Sequence, residues 1–274
     1  MKRMKAIALD LDGTLLTSDK KISQATKETI QVAKDLGIKI ILCTGRPLKG
    51  ILHYLEELEL VDDTDFSITY NGGLIQENKS GNVHYQKTLS KEEVSHIYQE
   101  TYSVGLPINM IDLDYAYETT YPAGVQSYYP QIMEILSFLK KNPDDFEDNH
   151  RFNKAVICTD QELLDQQAQQ LPAEFFDSYT TVKSRPILLE VLPKGVSKGD
   201  ALVRLADLLG ISMDEMMACG DEENDLSMIE AAGFGVAMEN AIDSLKEAAD
   251  YITASNNHDG VAQAINYMIF ESEY

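Results

Sequence analysis

The stretch that decides the fold is Lys5-Ala6-Ile7-Ala8-Leu9-Asp10-Leu11-Asp12-Gly13-Thr14. A short apolar run without polar alternation is the pattern of a strand buried on both faces of a sheet. It breaks abruptly into two aspartates, a glycine and a threonine. In open α/β sheets, ligands bind beyond the carboxyl ends of the strands. Two carboxylates two residues apart, on chain leaving such a strand, can point at one bound cation. One can then attack while the other handles protons. A plain polar turn built on Gly13 also accounts for these residues taken alone.

The same style continues downstream. Ser23 to Leu36 has helical periodicity, with Ser23 as N-cap and Gly37 as the stop. Ile38 to Cys43 is a second near-continuous apolar run. A helix over Leu48 to Leu58, a strand at Phe66 to Tyr70 and a turn at Asn71-Gly72-Gly73 follow. This β-α-β-α-β order predicts an α/β fold, a Rossmann-like doubly wound parallel sheet. The middle changes character. Ser90-Lys91-Glu92-Glu93 is a capping box opening a helix toward Ser103. Short strand-like pieces, a tyrosine-rich stretch and a loop at Asn142 to Asn149 come next. Then Phe152 to Cys158, Gln161 to Gln170 and Tyr179 to Lys183 predict strand, helix and strand. The last part returns to α/β order: a helix over Lys198 to Leu209, a strand at Met216 to Cys219, a helix over Asn224 to Ala232, a strand at Phe234 to Ala237, and helices near Ile242 and Gly260. The simplest division is a core from residues 1–83 and 191–274, with an inserted α+β domain over 84–190.

Three further segments carry candidate chemistry. Thr44-Gly45-Arg46-Pro47 follows the second buried strand and offers a hydroxyl, an unhindered backbone N–H and a helix start that favours anions. Ser197-Lys198-Gly199-Asp200 opens a helix, with Ser197 as cap and Lys198 adding positive charge there. Gly220-Asp221-Glu222-Glu223-Asn224-Asp225 again follows an apolar strand. Its four acids are costly to hold together unless exposed or neutralised by a cation, and oxygen ligands of this kind suit Mg²⁺. Each segment also has a plain reading: an ordinary turn, a solvated surface lysine, and an acidic helix start.

Composition bounds the rest. The 274 residues are 44% hydrophobic and 25% charged, which is ordinary for a globular protein. No apolar run reaches the length of a membrane span. The start, Met1-Lys2-Arg3-Met4-Lys5, is basic, but the apolar stretch after it is too short for a secretory signal. With 23 basic and 45 acidic side chains the net charge is −22, which disfavours nucleic acid as a partner. Cys43, Cys158 and Cys219 lie in apolar runs with no C-x-x-C, so buried thiols in a reducing cytoplasm are expected. The five histidines show no zinc-ligand spacing.

Taken together, the four segments resemble the haloacid dehalogenase-like (HAD) phosphatase superfamily. Its motifs occur in order: D-x-D-G-T at residues 10–14, the strand-end Thr44, Lys198, and G-D-x-x-N-D at residues 220–225. From Asp12 to Thr44 there is room for one helix and a strand; from Thr44 to Lys198 there is room for a domain. That spacing is similar to the Cof-type members with a large α/β cap. The stretches at residues 68–72, 188–191 and 235–241 resemble the YidA-type sugar phosphatases of that group.

The resemblance implies a Mg²⁺-dependent phosphatase acting on small phosphorylated metabolites, sugar phosphates first. It implies Asp10 as nucleophile, forming an aspartyl-phosphate, and Asp12 as acid and base. Mg²⁺ would sit on Asp10, the backbone carbonyl of Asp12, and Asp221, with Asp225 binding it directly or through water. Thr44 and Lys198 would hold the phosphoryl oxygens, with Gly45, Arg46, Asn71 and Asn224 as further substrate-binding positions. Substrate choice would lie in the inserted domain. There Tyr115, Tyr117, Tyr121, Tyr128 and Tyr129 form either a sugar-contacting surface or ordinary packing, with packing favoured. Residues 256–260 resemble a family loop at the active-site mouth, or a helix entry capped by Asp259. The rivals are a phosphomutase or phosphotransferase of the same superfamily, and a non-catalytic phosphometabolite sensor.

Overall fold

The structure, a computed structural model, describes residues 4–133 and 135–271. Met1, Lys2 and Arg3 of the basic start lie outside the described residues. The chain divides into two compact units, Met1–Gln86 with Ser197–Tyr274, and Lys87–Val196.

Strands are numbered in chain order. The first unit contributes β1 (Ala6–Leu9), β2 (Lys39–Cys43), β3 (Phe66–Thr69), β4 (Leu74–Glu77) and β5 (Val83–Gln86). The second contributes β6 (Leu89–Ser90), β7 (Ile108–Ile111), β8 (Tyr115–Glu118), β9 (Ser137–Lys140), β10 (Arg151–Phe152), β11 (Lys154–Cys158), β12 (Tyr179–Arg185) and β13 (Leu188–Pro193). The first unit resumes with β14 (Met216–Gly220), β15 (Phe234–Ala237) and β16 (Tyr251–Ile252).

In the first unit the sheet order is β16-β15-β14-β1-β2-β3-β4-β5. The strands from β16 to β3 pair in parallel. The far edge departs from an all-parallel sheet: β4 and β5 are antiparallel. The reason is length, because Tyr70–Gly73 is too short for the crossover a parallel return needs. β1, β2, β14 and β15 are almost wholly buried, and their side chains enter one core. The helix Gln24–Asp35 packs Ile30 and Ala33 into that core, and Ser23 caps it by accepting from Thr26 N.

Two expected helices are broken. Leu48 to Leu58 is a 3-10 turn, Leu48–Gly50, followed by a short helix, Leu52–Glu57; Pro47 stands before the turn rather than inside a helix. Asn224 to Ala232 likewise opens as a 3-10 turn, Glu223–Asp225, before the helix Leu226–Ala231.

In the second unit the main sheet runs β12-β13-β11-β7-β8-β9, beside a β10-β6 pair. Ser90 and Glu93 form the reciprocal capping box that starts the helix Lys91–Ser103. The expected strand Phe152 to Cys158 divides at Asn153: Phe152 pairs with β6, while β11 enters the main sheet. β13 is hydrogen-bonded to β11 on one side and β12 on the other. It therefore belongs wholly to this unit, which runs past residue 190 to Val196. Ile108, Met110, Ala155, Ile157 and Val191 on one sheet face join Val94 and Ile97 of the helix in a separate core. Tyr117 and Tyr129 are buried, and Tyr117 stacks edge-on against Phe146, so these two pack as core residues; Tyr115 and Tyr128 are exposed. All three cysteines are buried free thiols.

Candidate functional site

Strand register builds the site. Leu9 of β1 is level with Leu42 of β2 and Cys219 of β14. The segments that leave these strands therefore begin side by side, with Asp10, Thr44 and Asp221 at one end of the sheet. Asp10 N donates to Cys219 O at 3.0 Å, tying the first segment to the last. Gly13 has φ +93°, and a Cβ there would stand 2.2 Å from Asp221 Oδ2. Only glycine permits both that backbone and that approach. Beside it Thr14 Oγ1 donates to Asp221 Oδ1 at 2.6 Å.

Lys198 is the first residue of the helix Lys198–Leu209, whose start Ser197 caps through Asp200 N. Its side chain is fully buried, not a solvated surface lysine. Nζ donates to Asp10 Oδ1 at 2.5 Å and to Asp225 Oδ1 at 2.6 Å. Asp225 Oδ2 accepts from the backbone N–H groups of Asp221 and Glu222, at 2.9 and 3.1 Å. Asp225 thus fixes the lysine and the acidic loop together.

Asp10, Asp221 and Asp225 each offer an oxygen within 4.8 Å of the others. Their electrostatics are strained. Burial pushes Asp10 well above the usual carboxylate range, and the Asp225 charge adds to it, against the pull of Lys198. Burial raises Asp221 to about 7, with the Thr14 hydrogen bond opposing and Asp225 adding to the rise. Lys198 is pushed up instead: burial would lower it, but the charges of Asp10 and Asp225 outweigh that, so it stays an ammonium. Three buried carboxylates share one buried cation, which leaves surplus negative charge in a low dielectric. A hard divalent cation with oxygen ligands fits this donor set.

Asp12 stands apart from that set. Arg46 grips it with two bonds, Nε to Oδ2 at 2.8 Å and Nη2 to Oδ1 at 2.6 Å, and Lys20 Nζ adds a third to Oδ1 at 2.7 Å. Burial would raise the Asp12 carboxyl, but the bonds and charges of Arg46, then of Lys20, hold it down at about 2. The reading of Asp10 and Asp12 as two carboxylates aimed at one cation changes accordingly. The Asp12 carboxyl is not among the clustered metal-binding oxygens, leaving only its backbone carbonyl for that role. The Arg46 fork meets the planar Asp12 carboxylate with two of its N–H groups.

The remaining candidate residues converge. Thr44 is buried; its Oγ1 accepts from Arg46 N at 3.1 Å and its N donates to Ile68 O. Asn71 N donates to Thr44 O, and Asn71 Oδ1 accepts from Asn224 Nδ2 at 3.0 Å. A Cβ on Gly45 would lie 3.0 Å from Asn71 Oδ1. Gly72, at φ +99°, passes so close to Ser197 O that a Cβ would sit 2.0 Å away. Thr44, Gly45, Asn71, Asn224 and Lys198 thus belong to one neighbourhood.

Residues 235–241 and 256–260 stood out in the sequence by resemblance, but their role as supports of the 10–18 loop did not. Asn240 Nδ2 donates to Gly13 O, and Asn240 Oδ1 accepts from Asn256 N. Asn256 Nδ2 donates to Leu16 O, while Asn257 exchanges two hydrogen bonds with Ser18. No spacing pattern marks such long-range amide contacts. Asp259, expected as a cap, makes no capping bond; it takes a left-handed conformation, φ 57°, ahead of the helix Gly260–Asn266. Among the described residues no helix is long and apolar enough to cross a membrane.

Comparison with known proteins places the chain. Residues 7–265 match the family model of haloacid dehalogenase-like hydrolases. The M6_Spy0533 protein of Streptococcus pyogenes serotype M6, which carries a provisional phosphatase name, is 36% identical over 262 residues, covering 96% of this chain and 97% of that one. YcsE of Bacillus subtilis, named a 5-amino-6-(5-phospho-D-ribitylamino)uracil phosphatase, is 32% identical over 271 residues, covering 97% and 96%. The solved structure of BT4131, described as a HAD subclass IIB sugar phosphatase, superposes with a TM-score of 0.80 at 25% identity, covering 96% and 98%. The chain therefore belongs to the haloacid dehalogenase-like hydrolase family, and it is a phosphatase.

Proposed function

We propose that this phosphatase hydrolyses small phosphorylated metabolites, sugar phosphates first among them, with Mg²⁺ and through an aspartyl-phosphate on Asp10. The observation that carries the reading is the buried cluster of Asp10, Asp221 and Asp225 around Lys198 Nζ at the sheet end. The Asp10 carboxylate attacks phosphorus in line; a phosphorus–oxygen bond to Asp10 forms as the bond to the leaving alkoxide breaks. Asp12, a carboxylate in the free protein, takes up a proton when the phosphate dianion binds beside it and raises its proton affinity, and it gives that proton to the alkoxide. It then takes one from the water that attacks the aspartyl-phosphate, releasing inorganic phosphate and restoring Asp10. Lys198 holds Asp10 in place and counters charge on the non-bridging oxygens. Thr44, Gly45, Asn71 and Asn224 position the phosphoryl group. Asp10, the backbone carbonyl of Asp12 and Asp221 would hold Mg²⁺, with Asp225 acting through Lys198 and the loop; when bound, the ion supplies Lewis-acid neutralisation of nucleophile and phosphate.

The activities by which BT4131 and YcsE are named support a phosphate ester on a polyhydroxylated carbon chain as substrate. We assign the chemistry to the first unit, where the site residues lie, and substrate choice to Lys87–Val196. The buried thiols suit a reducing cytoplasm. The test is phosphate release across a panel of phosphorylated metabolites, with Mg²⁺ and with excess EDTA. Mg²⁺-dependent release from sugar phosphates is expected. Sugar-phosphate isomerisation without release would instead mark a mutase, and tight binding without turnover a sensor.

A further inference from the structure

We infer that Tyr54 and Lys20 are positioning residues for Asp12, an assignment that rests on the acid–base role proposed for Asp12. Lys20 lies in the turn Thr17 to Lys21, closed by Thr17 N to Lys21 O and Lys20 N to Thr17 O, both at 2.9 Å. It takes φ 59°, a left-handed conformation that glycine adopts freely and a lysine does not. Backbone strain of this kind persists where the surroundings enforce it, and it concentrates at functional sites. Here the enforcing group is visible. Tyr54, buried on the short helix Leu52–Glu57, donates its hydroxyl proton to Lys20 O at 3.0 Å. The same tyrosine ring lies under the Arg46 guanidinium, 5.8 Å from centroid to Cζ, within cation–π range.

One side chain therefore supports both cations that grip Asp12. Its hydroxyl fixes the backbone from which Lys20 reaches, and its ring backs Arg46. A half-exposed lysine pairing with a carboxylate contributes little alone. Three bonds from two anchored cations instead fix the orientation of both Asp12 oxygens. A proton donor and acceptor must be aimed correctly at the leaving oxygen and then at water, and small misplacement costs rate.

Leaving-group chemistry separates this from a merely structural role. An alkoxide needs the proton that Asp12 supplies; p-nitrophenolate leaves readily without it. The experiment compares kcat/KM for p-nitrophenyl phosphate with that for the sugar phosphate turned over fastest in the screen, in Asp12→Asn, Tyr54→Phe and Lys20→Gly. Tyr54→Phe keeps the ring and loses only the hydroxyl. Lys20→Gly removes the ammonium but relieves the backbone. Each variant is expected to lose about tenfold more on the sugar phosphate than on the aryl phosphate, carried in kcat rather than KM. Lys20→Gly should do so with an unchanged or raised melting temperature. If Asp12→Asn shows the difference while Tyr54→Phe and Lys20→Gly lose equally on both substrates, or lose nothing, the positioning role is overturned and Asp12 keeps its own. If Asp12→Asn shows no difference, the acid–base reading of Asp12 falls, and this inference with it.

Discussion

Asp10 and Asp12 are two residues apart on one loop, yet their surroundings drive them in opposite directions. Asp10 lies on a buried floor with Asp221, Asp225 and a single ammonium, and its carboxyl is pushed well up by burial and by its neighbours' charges. Asp12 lies at a half-buried rim between Arg46 and Lys20, which outweigh the effect of burial and hold it at about 2. The floor has too few positive charges and the rim has enough. In the proposed mechanism the floor, short of positive charge, takes up a cation and a phosphate, and the rim, already neutralised, orients a carboxylate for proton transfer. Two carboxylates of one type are driven to opposite proton affinities by environment alone, the basis on which the two proposed roles divide.

Removing either member of the pair is the strongest test of this division. Asp10→Asn should eliminate turnover, a loss of about 10⁴-fold or more measured by phosphate release, while phosphate binding in the presence of Mg²⁺ persists in part by calorimetry. Wild-type rates in that variant would break the comparison outright. Excess EDTA should likewise stop turnover, with activity returning on added Mg²⁺. Titrating Mg²⁺ into metal-free protein should raise its melting temperature by mass action, and Asp221→Asn should lose most of that rise. An equal rise in the variant would remove Asp221 from the cation site.

Lys198→Ala strips the floor of its only ammonium in the cluster just described. A fall in kcat of about 10²–10³-fold is expected from steady-state kinetics. So is a destabilisation of about 3–5 kcal/mol in denaturant melts, because buried carboxylates lose their partner. At the rim, Arg46→Lys keeps the charge but loses the two-bond fork, and should lower kcat on a sugar phosphate by about tenfold with little change in KM. A large rise in KM instead would return Arg46 to phosphate binding.

The smallest effect is in stability against pH. A folded-state carboxyl raised above its unfolded value binds extra protons when folded, so the metal-free protein should lose stability as pH rises from about 4 to about 7, through Asp221. Asp12 has the opposite sign. Its contribution is complete above about pH 4 and is lost as pH falls toward 2. Mg²⁺ should flatten the first slope and leave the second unchanged, as read from denaturation midpoints across pH.

Much of the core was legible because its signals are local. Continuous apolar runs marked β1, β2, β14 and β15, and the helix Lys198–Leu209 begins and ends where its cap and periodicity place it. The antiparallel edge was not, since β4 and β5 are four residues each, too short for an apolar pattern to decide. β13 went unplaced because Glu190, buried against Lys154, interrupts its apolar run, and that pairing depends on a contact across the sheet. In the site, strand-end segments could be picked out, but partners could not. That Arg46 grips Asp12, and that Lys20 joins it from a solvated-looking Asp19-Lys20-Lys21 run, depends on contacts across the fold. The supports from Asn240, Asn256 and Asn257 to the 13–18 loop span more than two hundred residues of chain.

The most direct test of Asp10 as nucleophile is rapid-quench labelling with a sugar phosphate carrying radioactive phosphorus. Transient, alkali-labile phosphate is expected on the peptide bearing Asp10, formed and discharged at rates that match turnover. Turnover without label, or label on any other residue, would contradict Asp10 as nucleophile.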